Sequence, residues 1–151
     1  MRLWRLVPAR YAPFDCEGAR RVGGRWNSPG LPMVYTSQHL SLAVLESLAH
    51  YEIAFLPDNL MAHAVDVPDA HVHVLDRASL AADWHEDPAM EASRRVGDEW
   101  LRRGEGLALA VPSAVIGEEH NVLLNPRHAD AEAILHPALS RPFSFDPRLT
   151  I

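Results

Sequence analysis

Hydrophobic and polar positions change period several times along the chain, and each change marks an element. Leu3, Trp4, Leu6 and Val7 surround Arg5 and stop at Pro8, which predicts a short N-terminal strand. Residues 11–17 read as a loop in which Pro13 and Phe14 are packing residues. Residues 32–36 predict a second strand, and Ser37 offers an N-cap for a helix over 39–51. In that helix Leu40, Ala43, Val44, Ser47 and Leu48 keep helical spacing, while Leu42, Leu45 and Ala49 make the other side apolar too. Burial nearly all round is expected. Residues 55–59 break the helix, 61–67 alternate like a strand, Pro68 and Asp69 end it, and 71–75 alternate again.

The second half begins with a connection over 76–88 whose Asp87-Pro88 pair predicts the start of a helix over 89–103, stopped by Gly104. Met90, Val96, Trp100 and Leu101 supply a partial apolar stripe; Arg94, Arg95, Arg102 and Arg103 read as a solvated face. The pentad 107–111 is continuously apolar, the pattern of a strand covered on both faces, and it ends at Pro112-Ser113. A turn at 117–119, a strand at 120–124, a short helical segment from Asn125-Pro126 to about Ala131, and last strands at 133–135 and 143–145 complete the prediction. Short strands without regular strand–helix alternation favour an α+β domain over a doubly wound sheet.

Composition narrows the class. The chain has 151 residues, 48% of them hydrophobic and 23% charged, enough for one globular domain spanning 1–151. A single cysteine, Cys16, rules out an intrachain disulfide and a cysteine zinc site. Its apolar runs are too short for a bilayer and its first ten residues hold no signal-peptide core, so a cytoplasmic protein without membrane contact is expected. A net charge of −6 argues against a nucleic-acid binder or nuclease.

Against that acidic background, residues 18–46 carry Arg20, Arg21 and Arg25 and no carboxylate before Glu46. Gly23, Gly24 and Gly30 let the backbone approach a ligand, and the arginine fork matches a phosphate. Glu46 is the sole carboxylate on its apolar helix. There it must find donors or an opposite charge; it could equally reach solvent or close an ion pair with a nearby arginine. Ser113 follows a buried strand, where a turn or capping role is commoner than a nucleophilic one, and no Gly-x-Ser-x-Gly elbow surrounds it. His71 and His73 share a strand side as two metal ligands would, but no third ligand is evident, so no metal is expected. No dinucleotide fingerprint is present. A catalytically silent nucleotide- or phosphate-binding module, with Arg20, Arg21 and Arg25 as an anion cradle, fits these residues as well as an enzyme does.

Three segments resemble the RES domain, the toxin half of a bacterial toxin–antitoxin pair: GGRWNSPGLPMVYTS, LAVLESLAH and AVPSAVIGEEHNVLLNP, in family order. The Arg, Glu and Ser that name the family fall on Arg25, Glu46 and Ser113, and Tyr35 matches its site tyrosine. The resemblance implies an ADP-ribosyltransferase-like fold with a mixed or antiparallel sheet core. It also implies attack on NAD at the nicotinamide–ribose bond by hydrolysis, phosphorolysis or ADP-ribosyl transfer, causing growth arrest. NAD would be substrate, with no further cofactor. Glu46 would oppose the charge of an oxocarbenium-like state, Arg25 hold the pyrophosphate, Tyr35 stack on nicotinamide and Ser113 orient nicotinamide or ribose. Asn121 and Arg5 are further substrate-binding candidates. The implied partner is a helix-turn-helix, Xre-type antitoxin, through which alone DNA would be met; a homodimer within that complex is compatible with the resemblance.

Overall fold

A computed structural model of the chain describes residues 1–86, 88 and 90–151. Seven strands form one sheet: β1 (Arg2–Pro8), β2 (Val34–Ser37), β3 (Leu60–Asp66), β4 (Val72–Val74), β5 (Ala108–Pro112), β6 (His120–Leu124) and β7 (Leu139–Phe143), in the order β4-β5-β6-β2-β1-β3-β7. All neighbours are antiparallel except β4 and β5. Four α-helices accompany it: α1 (Glu17–Val22), α2 (Leu40–His50), α3 (Glu91–Arg103) and α4 (Ala131–Leu135). This is an α+β domain, as the strand-rich pattern predicts.

Alternation along the strands sorts side chains onto two faces. Leu3, Val34, Val65, Ala108, Ala110, Val122 and Leu124 build one core with Ala131 and Leu135 of α4, and Phe14 and Cys16 pack on it. Met33, Leu109, Val111 and Leu123 build the other with Trp26 and Trp84; Tyr35, Val96, Trp100 and Leu101 pack there. Strand β5 is buried along its whole length because both layers cover it. Pro142 sits on β7, an edge strand, where a missing ladder donor costs least. Among the described residues no helix is long and apolar enough to cross a membrane.

Several expectations need correction. Ser37 ends β2 rather than capping α2, whose N-cap is His39 without a side-chain cap bond. Helix α2 buries only Leu42, Ala43 and Val44, while Ser41, Leu45 and Ala49 are exposed, so it is a surface helix with a narrow inner face. A short helix, α1, occupies part of the arginine-rich stretch read as loop. Residues 133–135 belong to α4, not a strand; the segment before α4 is turn; and the last strand is 139–143, not 143–145. Short apolar runs do not discriminate strand from helix, and β7 is exposed and lacks a buried period. The predicted start of α3 falls on Asp87 and Ala89, which lie outside the described residues; Met90 is its N-cap, with φ 56°.

Candidate active site

Two stations stand on the face of the sheet that α3 covers. The first is the arginine loop, residues 23–30. Tyr35 on β2 donates its hydroxyl proton to Oδ1 of Asn27 at 2.7 Å and accepts the Trp26 N–H at 3.0 Å. Burial raises the phenol pKa well above its usual value, so the ring stays protonated and remains a donor. Asn27, fully buried, donates to the carbonyls of Ala19 and Leu31, each at 2.9 Å, which ties the loop to α1 and to its own end.

Helix α3 grips the same loop from outside. Ser93 donates to the carbonyl of Arg25 at 2.6 Å, Nε of Arg94 donates to that of Gly24 at 2.8 Å, and Asp98 accepts both N–H and O–H of Ser28 at 2.8 and 2.6 Å. The solvated-face expectation thus fails for Arg94, which is partly buried, and holds for Arg95, Arg102 and Arg103, which are exposed. What this framework presents is Arg25. Its guanidinium lies over Trp84, 5.8 Å from the ring centroid, and Nη1 is buried with no hydrogen-bond acceptor among the described residues. A buried charged donor without a partner is expensive, and an anionic ligand would satisfy it.

The second station is Glu46. From α2 its Oε1 accepts the hydroxyl of Ser113 at 2.7 Å and Nδ2 of Asn121 at 2.5 Å. Ser113 in turn accepts the N–H groups of Val115 and Ile116, each at 3.0 Å. One donated proton and two accepted ones exhaust a serine hydroxyl, so Ser113 has no capacity left for a substrate bond. Oε2 of Glu46 accepts no bond from any described residue and is open to solvent. The carboxylate is therefore held by one oxygen and offers the other.

Strand register places the stations together. Ser37 pairs with Asn121 and Tyr35 with Leu123, so Tyr35, Ser37 and Asn121 share one face, the residues of β2 about 7 Å apart along the strand. Tyr35 holds the arginine loop; Asn121, to which Ser37 donates, holds the carboxylate. Arg5 is not brought in: it alternates with Leu3 and Val7 onto the opposite face and donates to the carbonyl of Pro13 at 3.1 Å. Nor do His71 and His73 pair. His71 instead approaches His128 and Asp130, but Nδ1 of His128 already accepts the Asp130 N–H at 3.1 Å, and Asp130 is exposed. Residue-pattern reasoning missed Ser37 as a site residue and missed Ser93, Gly97 and Asp98. A stripe of small and polar residues on one side of an otherwise charged helix was the available signal.

Residues 2–146 match the RES domain. The chain is 34% identical over 151 residues to "Toxin Res" of Yersinia enterocolitica, covering 99% of each chain. It is 36% identical over 153 residues to the "Prs ADP-ribosylating toxin" of a Sphingobium strain, covering 97% of this chain and 94% of the relative. In three dimensions it resembles a chain of the M. tuberculosis MbcT–MbcA toxin–antitoxin complex, with a TM-score of 0.74 at 22% identity over 99% of this chain and 86% of that one. A shared fold, a match over nearly the full length and two close relatives place this chain in the RES domain family.

Proposed function

We propose that this protein is the toxin of a toxin–antitoxin pair and that it consumes NAD by cleaving the nicotinamide–ribose bond. The observation that carries the reading is the pairing, on one face of the sheet, of a partnerless buried guanidinium nitrogen on Arg25 with a carboxylate on Glu46 that has one oxygen free. Relatives named Toxin Res and Prs ADP-ribosylating toxin support it.

In this reading Arg25 binds the pyrophosphate, and the Tyr35 ring, between the two stations, carries the nicotinamide. Oε2 of Glu46 accepts a ribose hydroxyl and its charge opposes the positive charge that grows on the sugar as the C–N bond breaks. The bonding electrons leave with nicotinamide. Water, phosphate or a protein side chain then adds to the sugar carbon and loses its proton. Ser113 acts through Glu46 and is neither nucleophile nor substrate ligand. Arg5 has no part. A cognate helix-turn-helix antitoxin covers the arginine loop and silences the enzyme; the structural neighbour's source in a toxin–antitoxin complex supports such a partner.

The test is release of free nicotinamide from NAD by purified protein, with and without phosphate, and mass spectrometry of the sugar product. ADP-ribose marks water as acceptor, its phosphorylated form marks phosphate, and a mass increment on protein marks transfer. If folded protein binds NAD and returns it intact both with and without phosphate, the chain is instead a nucleotide-binding module.

A further inference from the structure

We infer that Ser37 is a positioning residue for the reaction, acting on Glu46 through the side chain of Asn121; this rests on the NAD-cleaving reading above. Ser37 is the last residue of β2 and is 4% exposed, so its hydroxyl is removed from water. That hydroxyl donates to Oδ1 of Asn121 at 2.7 Å, across the register pair that joins β2 to β6. Nδ2 of the same amide donates to Oε1 of Glu46 at 2.5 Å.

The order of donors gives the relay its direction. An asparagine amide can turn over, exchanging an oxygen acceptor for a nitrogen donor, and the two settings differ only by their partners. The carboxylate of Glu46 can only accept, so it draws Nδ2 toward itself and leaves Oδ1 toward Ser37, whose hydroxyl donates to it. With Oδ1 held by Ser37, Nδ2 faces the carboxylate. Without that bond Oδ1 loses its donor on β2, and the amide is held only at its Glu46 end. An amide so loosened no longer fixes the carboxylate, and the free oxygen leaves the place from which it meets the ribose. Hydrogen bonds in series also polarise one another, so the Ser37 hydroxyl strengthens the bond that Asn121 makes to Glu46.

Ser37 touches neither Glu46 nor the arginine loop, so its loss is expected in turnover and not in binding. In Ser37→Ala, kcat for nicotinamide release falls about tenfold, the worth of one hydrogen bond to a charged group, while KM for NAD changes less than about twofold. Ser37→Thr, which keeps the hydroxyl, restores kcat. In an Asn121→Ala background Ser37→Ala costs nothing further, because the residue acts only through that amide. Unchanged kcat in Ser37→Ala, or losses that multiply in the double variant, would overturn the inference.

A readout independent of turnover separates this from failure of the NAD reading. The side-chain amide protons of Asn121, followed by 15N–1H NMR, shift and exchange faster in Ser37→Ala, and shift again in Glu46→Gln. If wild-type protein releases no nicotinamide while these shifts occur, the relay stands and the reaction assigned to it falls. Resonances of Asn121 that ignore Ser37→Ala in a folded protein would remove the relay itself.

Discussion

Gly97 of α3 lies so close to Trp26 in the arginine loop that a Cβ on it would stand 1.7 Å from the Trp26 carbonyl oxygen. The contact is backbone against backbone, so no side-chain rotation relieves it. Gly97→Ala must push α3 off the loop and break the bonds of Ser93, Arg94 and Asp98 to it. A loss of about 3 kcal/mol is expected, at the upper end for overpacking. Urea denaturation reads it. A midpoint equal to wild type would mean that helix and loop do not interlock as described.

Glu46→Gln is expected to keep the fold and end turnover. The amide oxygen of glutamine still accepts from Ser113 and Asn121, so the hydrogen bonds of Oε1 survive while the charge that faces the sugar is lost. Removal of one such electrostatic group costs roughly 100- to 1,000-fold in kcat. Calorimetry should find NAD still bound with little change in affinity. Turnover within about tenfold of wild type would show that this carboxylate is not the group that meets the developing charge.

Much of the sheet was legible because burial leaves a period. The pentad in β5, covered on both faces, and the alternation in β3 both read directly as strands. Arg25 and Glu46 stood out as charges in an unlike background. What could not be read was support made of small and polar residues: Ser93, Gly97 and Asp98 bury on α3 without any apolar pattern, and Ser37 resembled a cap because serine ends strands as well as it begins helices. Their roles exist only once the register sets Ser37 beside Asn121 and the helix against the loop. Residues 133–135 failed for another reason. The five residues of α4 are too few to separate the helical from the extended period.

Arg25 separates binding from stability. Its buried Nη1 has no acceptor among the described residues, an unmet cost of about 1–3 kcal/mol, whereas the stack on Trp84 returns about 0.5–1 kcal/mol. Arg25→Met, which keeps the chain volume and drops the charge, is therefore expected to match or exceed wild type in thermal stability. The same substitution should weaken NAD binding at least about tenfold, since the pyrophosphate loses a bidentate partner. Melting temperature and NAD affinity measured on one preparation test both halves. A destabilised Arg25→Met with normal affinity would assign Arg25 to the scaffold.

His63 sets an acid limit on the fold. It is 4% exposed on β3, directly opposite Arg5 in the register, with Nδ1 2.7 Å from the Ser140 hydroxyl and Nε2 buried without a partner among the described residues. Burial first, and the Arg5 charge second, lower its pKa below the usual 6.5. The folded protein therefore holds this ring neutral in a range where the unfolded chain protonates it, and stability rises with pH wherever the unfolded state binds more protons. The stability is complete above about pH 6.5 and is lost as pH falls below that value toward the lowered one. In Ser140→Ala the ring stays buried beside Arg5 and the dependence persists. His63→Gln removes the titrating group, so its melting temperature should decline less than that of wild type between pH 7 and 5. Parallel curves for wild type and His63→Gln would show that the ring does not titrate differently in the folded and unfolded chain.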